Sequence, residues 1–407
     1  MKIILILIVM VLFQVSSMAQ RFEEPKLSSQ SNNVKVYIGA DFAMQYQALN
    51  NHASGVELMP LGSNFNLPTA NFTINADLAP GVRVSLITYL SSRHHNDTWV
   101  KGGYLLLDQL PFLNPGSHFM DNLTAKVGVM EVNYGDGHFR RSDNGNIIRN
   151  PFIGNYIMDA FTTAPALELM YRKNGFILMG GTTTGNLKPQ LTGFTNGHFV
   201  EYNLANELGV YGKIGFDRQI NSLLRVRVTA SPWFHSTKQG GSLYFGDRAG
   251  SRFYNVMRPA SLGSAATDIT TDHTSGRWGP GFYTKDNSLM LNTFIKYAGL
   301  EFFGMYEMAN GTASGSDYKF RQYDAEGVYR FGSAENFYVG VKYNTVKNDQ
   351  ESNSNPSVSR VELGGGWFMT KNIVTKLIYV DQKYKNFAQY GSDAGFKGMM
   401  LEAGISF

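Results

Sequence analysis

The sequence predicts an all-β fold: a transmembrane antiparallel β-barrel of about 16 strands. Three observations carry that expectation. Apolar and polar residues alternate with period two through most of the chain after residue 33. The alternating segments are joined by connections that are short and long in turn, the order expected when tight turns close one end of a barrel and loops the other. The chain ends on Phe407, with Lys397, Met399, Leu401, Ala403 and Ile405 at every second position before it.

Composition agrees. Of 407 residues, 13% are aromatic and only 17% are charged, against ~25% charged in ordinary soluble domains. Mean hydropathy is −0.20, so apolar residues are interleaved with uncharged polar ones rather than gathered into apolar helices. Disordered chains are aromatic-poor and highly charged, and this one is neither. With no cysteine, there is no disulfide framework, thiol nucleophile, Cys-ligated zinc or lipidated Cys anchor. A net charge of +4 from 36 basic and 32 acidic residues is too balanced for a nucleic-acid binder.

The elements follow in order. Met1-Lys2 is a short basic start, Ile3 to Val15 an apolar run broken by Gln14, and Ser16-Ser17-Met18-Ala19 a small-residue cleavage site before Gln20. Residues 1–19 therefore form a signal peptide; the alternative, an uncleaved anchor, needs a run of ~20 residues. Residues 20–33 are an N-terminal lead-in and 34–407 the barrel. In 34–46, Val34, Val36, Ile38, Ala40, Phe42, Met44 and Tyr46 occupy one face, with Lys35, Asp41 and Gln45 on the other. In 71–79, Phe72, Ile74, Ala76 and Leu78 alternate with Asn71, Thr73, Asn75 and Asp77. In 81–91, Val82, Val84, Leu86 and Leu90 alternate with Arg83 and Ser85. Further segments lie near 98–108, 122–132, 164–172, 175–184, 206–217, 222–233, 287–297, 300–309, 318–330, 335–346, 357–369, 372–384 and 396–407. The alternation is weakest at 98–108 and 372–384, where both faces carry apolar residues. Tight turns are expected at Ala79-Pro80-Gly81, Arg172-Lys173-Asn174-Gly175, 217–221, Ala298-Gly299, Gly332-Ser333-Ala334 and Thr370-Lys371. Longer links fall near 47–69, 91–97, 133–163, 185–205, 234–286, 310–317, 347–356 and 385–395, with 234–286 expected as a long external loop. One link breaks the order: 109–121, with Pro111 and Pro115, is long where a short turn is due.

If the apolar set faces lipid, the other faces the lumen. That places Lys35, Arg83, Lys101, Lys126, Lys213, Arg225, Arg227, Lys296, Arg330, Lys342 and Arg360 inside. It also places Asp41, Asp77, Glu168, Glu301, Glu307, Asp324, Glu326, Glu362 and Glu402 inside, a slightly basic balance. Arg83, Lys101, Lys126, Arg225, Arg227 and Arg360 are the candidate basic pore wall.

With these features the chain resembles the sixteen-stranded bacterial porins, and among them the phosphate-selective porin O and P family, over residues 34–407. The resemblance rests on strand number, loop order, the long third loop and the terminal Phe407, not on a short motif. It implies a Gram-negative outer-membrane location, with lipids and the barrel assembly machinery as partners and Phe407 as assembly signal. A homotrimer is compatible with it. It also implies that the third loop, 133–163, folds into the lumen as a constriction. There Arg140, Arg141 and Arg149 would offer fixed positive charge and planar donor forks to anions. Asp136, Asp143 and Asp159 could instead pair with them and pin the loop to the wall. A dedicated phosphate channel calls for a basic lumen with few acids, and this lumen holds both.

Other motifs dissolve. Gly180-Gly181-Thr182-Thr183-Thr184-Gly185 resembles a phosphate loop but lacks the Lys-Ser/Thr ending, and reads as strand and turn. His94, His95 and Asp97 lack a third spaced histidine for a metal site, and no cofactor is implied. His138, Ser142 and Asp143 are the residue types of a hydrolase triad without a nucleophile elbow, so no catalytic residue is assigned. Gly364-Gly365-Gly366 suits close packing within a strand. Trp99, Trp233 and Trp367 suit interfacial girdles, whereas Trp278 has no such account. The expected function is a non-enzymatic, water-filled channel for passive diffusion of small hydrophilic solutes or ions, with mild anion preference. The alternative is a structural or partner-binding barrel within an uptake or secretion complex, kept open by the loop 234–286.

Overall fold

The computed structural model describes residues 20–27, 33–66, 68–91, 98–110, 118–141, 144–185, 193–195, 198–200, 208–236, 243–244, 250–263, 272–282, 285–313, 315–349 and 355–407. The signal-peptide assignment, His94, His95, Asp97, Ser142 and Asp143 lie outside them.

Sixteen antiparallel strands form the barrel. They are β1 (Lys35–Ala53), β2 (Thr69–Ala79), β3 (Val82–Ser91), β4 (Trp99–Leu107), β5 (Leu123–Glu131), β6 (Thr163–Lys173), β7 (Phe176–Thr183) and β8 (Gly209–Gln219). They continue as β9 (Leu224–Ser236), β10 (Lys285–Tyr297), β11 (Leu300–Ala313), β12 (Ser316–Phe331), β13 (Phe337–Asn348), β14 (Ser357–Thr370), β15 (Ile373–Lys385) and β16 (Ala394–Ser406). Each pairs with its chain neighbours. The ring closes at β1, which pairs with β2 from Lys35↔Asp77 to Ala43↔Thr69 and with β16 from Asp41↔Ser406 to Ala53↔Ala394. Phe407 extends that seam through two backbone hydrogen bonds with Ala40, both 3.0 Å. No edge strand is left, as a bilayer demands of a sheet.

The short turns are where the turn chemistry put them. Asn174 and Gly175 take φ of 53° and 92°, and Ala298 and Gly299 take 45° and 88°, the doubly left-handed geometry that matches strand twist in two-residue hairpins. One long link is shorter than expected: β11 runs to Ala313 and β12 starts at Ser316, so the connection near 310–317 is a tight turn.

The lipid and lumen faces follow parity. Val127, Leu167, Leu169, Phe302, Val341 and Leu363 are exposed on the outside, while Lys213, Arg227, Glu301, Glu307, Asp324, Glu326, Arg360 and Glu402 are buried inside. At the short-turn end Tyr329, Phe331, Phe337 and Trp367 stack in sequence with ring centroids 5.8–6.0 Å apart, as in an interfacial aromatic belt. Trp233 departs from the girdle expectation. On β9 it shares the inward parity of Arg227, and it is buried within 6.0 Å of Tyr211 and 6.4 Å of Tyr134. The three glycines at 364–366 permit close strand contact, since a Cβ on Gly365 or Gly366 would run into Tyr338.

Three inserts occupy the lumen. Residues 20–27 cross it near the short-turn end, and residues 132–162 fold inward between β5 and β6. The third corrects the expectation of an external loop at 234–286. Its described parts, 250–258 and 272–282, pack inside, with Phe253, Val256 and Met257 buried against Phe396, Met400, Ile378 and Val374. The reason is apolar. The inward faces of β14–β16 carry Val358, Val374, Ile378, Val380, Phe396 and Met400, which would be stranded in water had the loop stayed outside. Trp278 gains its account here, 5.1 Å from Phe320 and 4.9 Å from Phe387.

Candidate functional site: the residual lumen

The filling is asymmetric. On the β9–β14 side the lumen is closed by paired charges. Arg140, fully buried, donates to Glu301 at 2.8 Å, to Glu326 at 2.6 Å and to the Gln20 side chain at 2.9 Å, and lies 4.9 Å from the Phe303 ring. Arg330 reaches Glu301 at 2.9 Å, and Lys342 reaches Glu326 at 3.0 Å. Arg141 makes a two-pronged bond with Asp159, 2.7 Å on each arm, over the Phe161 ring. Charges removed from water must be paired and hydrogen-bonded, and these are. Burial lowers the pKa of Arg140, but Glu326 and Glu301 more than offset this, and it lies above the ordinary value.

Asp136 is the hub of a second network. Its carboxylate accepts from Arg227 at 2.8 Å on both oxygens, from Lys213 at 2.9 Å and from the Thr229 hydroxyl at 2.7 Å. Burial opposes its charge, yet Arg227 and Lys213 hold its pKa well below the carboxylate range. His138 bonds Glu131 and, at 3.1 Å, Asn133. Burial pulls its pKa down despite Glu131.

The N-terminal segment is tied to this wall at one end and to β4–β5 at the other. Phe22 sits 4.2 Å from the Arg227 guanidinium and packs edge-on against Phe139 and Phe294. Glu23 binds Arg227 at 2.6 and 2.8 Å. Glu24 accepts from Lys126 at 3.0 Å and from Tyr104 at 2.8 Å. The Leu27 amide bonds Asp108 at 2.8 Å. Glu23 is pushed up by burial, but Arg227 and then Lys213 bring its pKa down to about 2.

Open space survives against β1–β6. A cavity of about 450 Å³ lies between that wall and residues 133–149, and its charged lining includes Arg83, Lys101, Lys126, Glu131 and Glu168. A second, of about 610 Å³, opens at the short-turn end beside Lys173, Asp217 and Arg225. The two share Arg21, Phe22, Glu23, Arg149 and Arg172. Of the loop residues singled out from sequence, Arg149 faces this space, whereas Arg140, Arg141 and Asp136 are committed to buried pairs away from its lining. Of the wall residues, Arg83, Lys101 and Lys126 line the first cavity and Arg225 the second; Arg227 and Arg360 are buried, Arg360 bonding Gln382 at 2.6 Å and the Asn155 carbonyl at 2.7 Å.

Sequence reasoning missed Arg21 and Arg172. Arg21 lies in a stretch with no periodicity, and Arg172 at a strand end beside Lys173 reads as a turn residue. It also missed Lys376, buried and paired to Glu402 at 2.6 Å. Its strand alternates poorly because its inward positions Val374, Ile378 and Val380 meet an apolar filling instead of water.

No family model matches the chain, and no curated protein matches it. Solved structures do match it in fold. An anion-selective porin from Comamonas acidovorans aligns with TM-score 0.56 and 11% identity over 92% of this chain and 100% of its own. The outer-membrane channel DcaP of Acinetobacter baumannii aligns with TM-score 0.55 and 12% identity over 92% of this chain and 97% of its own. OmpF of Salmonella typhi, in complex with daunomycin, aligns with TM-score 0.55 and 9% identity over 94% of this chain and 100% of its own. The chain thus has the fold of an outer-membrane porin barrel of sixteen strands.

Proposed function

We propose that the protein is a non-enzymatic outer-membrane channel that passes small hydrophilic solutes or ions through the lumen beside β1–β6, with a mild preference for anions. The observation that carries this is the polar, charge-lined space left against one side of an otherwise filled barrel. The porin fold of the solved structures supports the same reading. The first cavity is lined by six basic residues (Arg21, Arg83, Lys101, Lys126, Arg149, Arg172) and five acidic ones (Glu23, Glu24, Asp41, Glu131, Glu168). Such a balance favours anions weakly and cannot act as a strict filter. The signal peptide, the assembly role of Phe407, a lipid surround and a homotrimer belong to the same reading. Purified protein in a planar bilayer tests it: stepwise conductance with a reversal potential on the anion side supports the channel.

The filling favours a second reading. With residues 250–258 and 272–282 packed into the β14–β16 side, the barrel would serve as a plugged receptor or a structural partner. Absence of conductance in the same bilayer, with the barrel folded, would favour it.

A further inference from the structure

The proposed channel has two cavities, and they meet at a neck built by the N-terminal segment. Arg21, Phe22 and Glu23 from that segment, Arg149 from the inward loop and Arg172 from the end of β6 line both spaces. We propose that Arg21, carried across the lumen by residues 20–27, and Arg149 together form the selectivity-determining cationic neck, which takes small inorganic anions. This rests on the channel reading above and relocates its filter from the arc at Arg140 and Arg141 to the crossing segment.

The charge arithmetic is local. Three guanidiniums and one carboxylate line the neck, and that carboxylate, Glu23, is already bound to Arg227 at 2.6 Å. Arg21 acts on Glu24 and Asp41 acts on Arg149 through space, and no ion pair of either arginine is seen among the described residues. Arg172 donates to the Glu24 carbonyl at 2.8 Å, a neutral partner that leaves its charge standing. Burial and then the adjacent Arg21 both disfavour the charge on Arg149, with Asp41 a weaker opposing influence. Two like charges held near each other at a narrow point lower their mutual repulsion by admitting an anion between them. Guanidinium forks suit that role because they stay charged and donate several hydrogen bonds. Position decides the rest. The Debye length is ~8 Å at physiological salt, so charges at the neck act on a passing ion, while Arg83, bound to Asp77 at 2.6 Å on the wall, acts little.

The segment holds Arg21 in place without using it. Glu23 and Glu24 anchor on Arg227 and Lys126, and the Gln20 amide donates to the Phe139 carbonyl at 3.1 Å. Arg21 itself is exposed to the lumen, so Arg21→Gln leaves the anchors intact.

The test compares Arg21→Gln, Arg149→Gln and Lys371→Gln, the last an exposed charge on the turn between β14 and β15. Two readouts are taken: reversal potential under a KCl gradient at low salt, and sulfate binding to the detergent-solubilised protein by calorimetry. The first two variants should each move the reversal potential toward cations and weaken sulfate binding about tenfold, equivalent to about 1.4 kcal/mol. Lys371→Gln should change neither. Wild-type selectivity and sulfate affinity in both neck variants would overturn the inference. A wild-type protein that does not conduct would sink the channel reading alone, because loss of sulfate binding in the neck variants would still support the site, and its retention would still refute it.

Discussion

Asp136 of the inward loop balances two buried cations at once. It faces Arg227, Lys213 and Thr229, and Arg227 in turn holds Glu23. Removing its charge leaves two buried cations with less than their due. Asp136→Asn should therefore destabilise the barrel by about 3–5 kcal/mol, the range for breaking a buried pair, read as a lower heat-modifiability temperature on gels or an earlier urea midpoint. Lipid-facing residues obey the opposite rule. Val127, 43% exposed between lumen-facing neighbours on β5, should tolerate no charge, and Val127→Arg should cost about 2–4 kcal/mol near the bilayer midplane. Normal heat stability in that variant would reverse the assigned faces. At this scale the sequence was readable for the wall: parity alone placed Arg225, Arg227, Glu301 and Glu326 inside. What parity could not show is which charges neutralise one another. Arg140 and Arg141 look alike as neighbours in a loop, and only the fold shows that Glu301, Glu326 and Asp159 take them up and leave Arg149 facing the cavity.

Among elements, the N-terminal crossing segment is the one that a periodicity argument cannot see, because its eight described residues bury side chains singly against a curved wall instead of in a repeating pattern. Its hold depends on Glu23. The docked carboxylate has a pKa of about 2 against 4.5 when free. The folded value is depressed, so the stabilisation is complete above pH 4.5 and fades as the pH falls toward about 2. Acidification through that window should release the segment and raise single-channel conductance. Glu23→Gln should remove most of this pH step, and deleting residues 20–27 should give the raised conductance at neutral pH. A conductance that ignores all three would show that the segment does not obstruct the path. Two strands were hard to read for identifiable reasons. In β4 the register against β3 shifts at Lys101, with Ile87↔Gly102 followed by Thr88↔Val100; a bulge adds a residue and reverses parity beyond it. In β15 the inward face is apolar because the loop residues 250–258 cover it.

Across the whole molecule, the alternating pattern and connection order specified strand number and closure, since both are local properties repeated along the chain. The filling was not legible, because it depends on contacts between segments far apart in sequence, such as Phe253 with Phe396. The seam offers a further prediction: deleting Phe407 removes two hydrogen bonds to Ala40 and should lower the yield of assembled barrel in the membrane while export from the cytoplasm continues, measured by surface protease protection and fractionation. Closure has a consequence for the order of events in assembly. The inward residues between β5 and β6, and those at 250–258 and 272–282 between β9 and β10, leave from the middle of the sheet, while the ring is sealed by β1 and β16. A finished ring would have to admit bulky side chains such as Trp278 and Phe253 through an opening already crowded with charge. The apolar contents must therefore condense while the sheet is still an open, curling ribbon, and the last strand pair then shuts over a packed interior. Conditions that slow condensation of the contents, such as a Phe253→Asp change, should accordingly trap an unsealed ribbon rather than yield an empty, conducting ring.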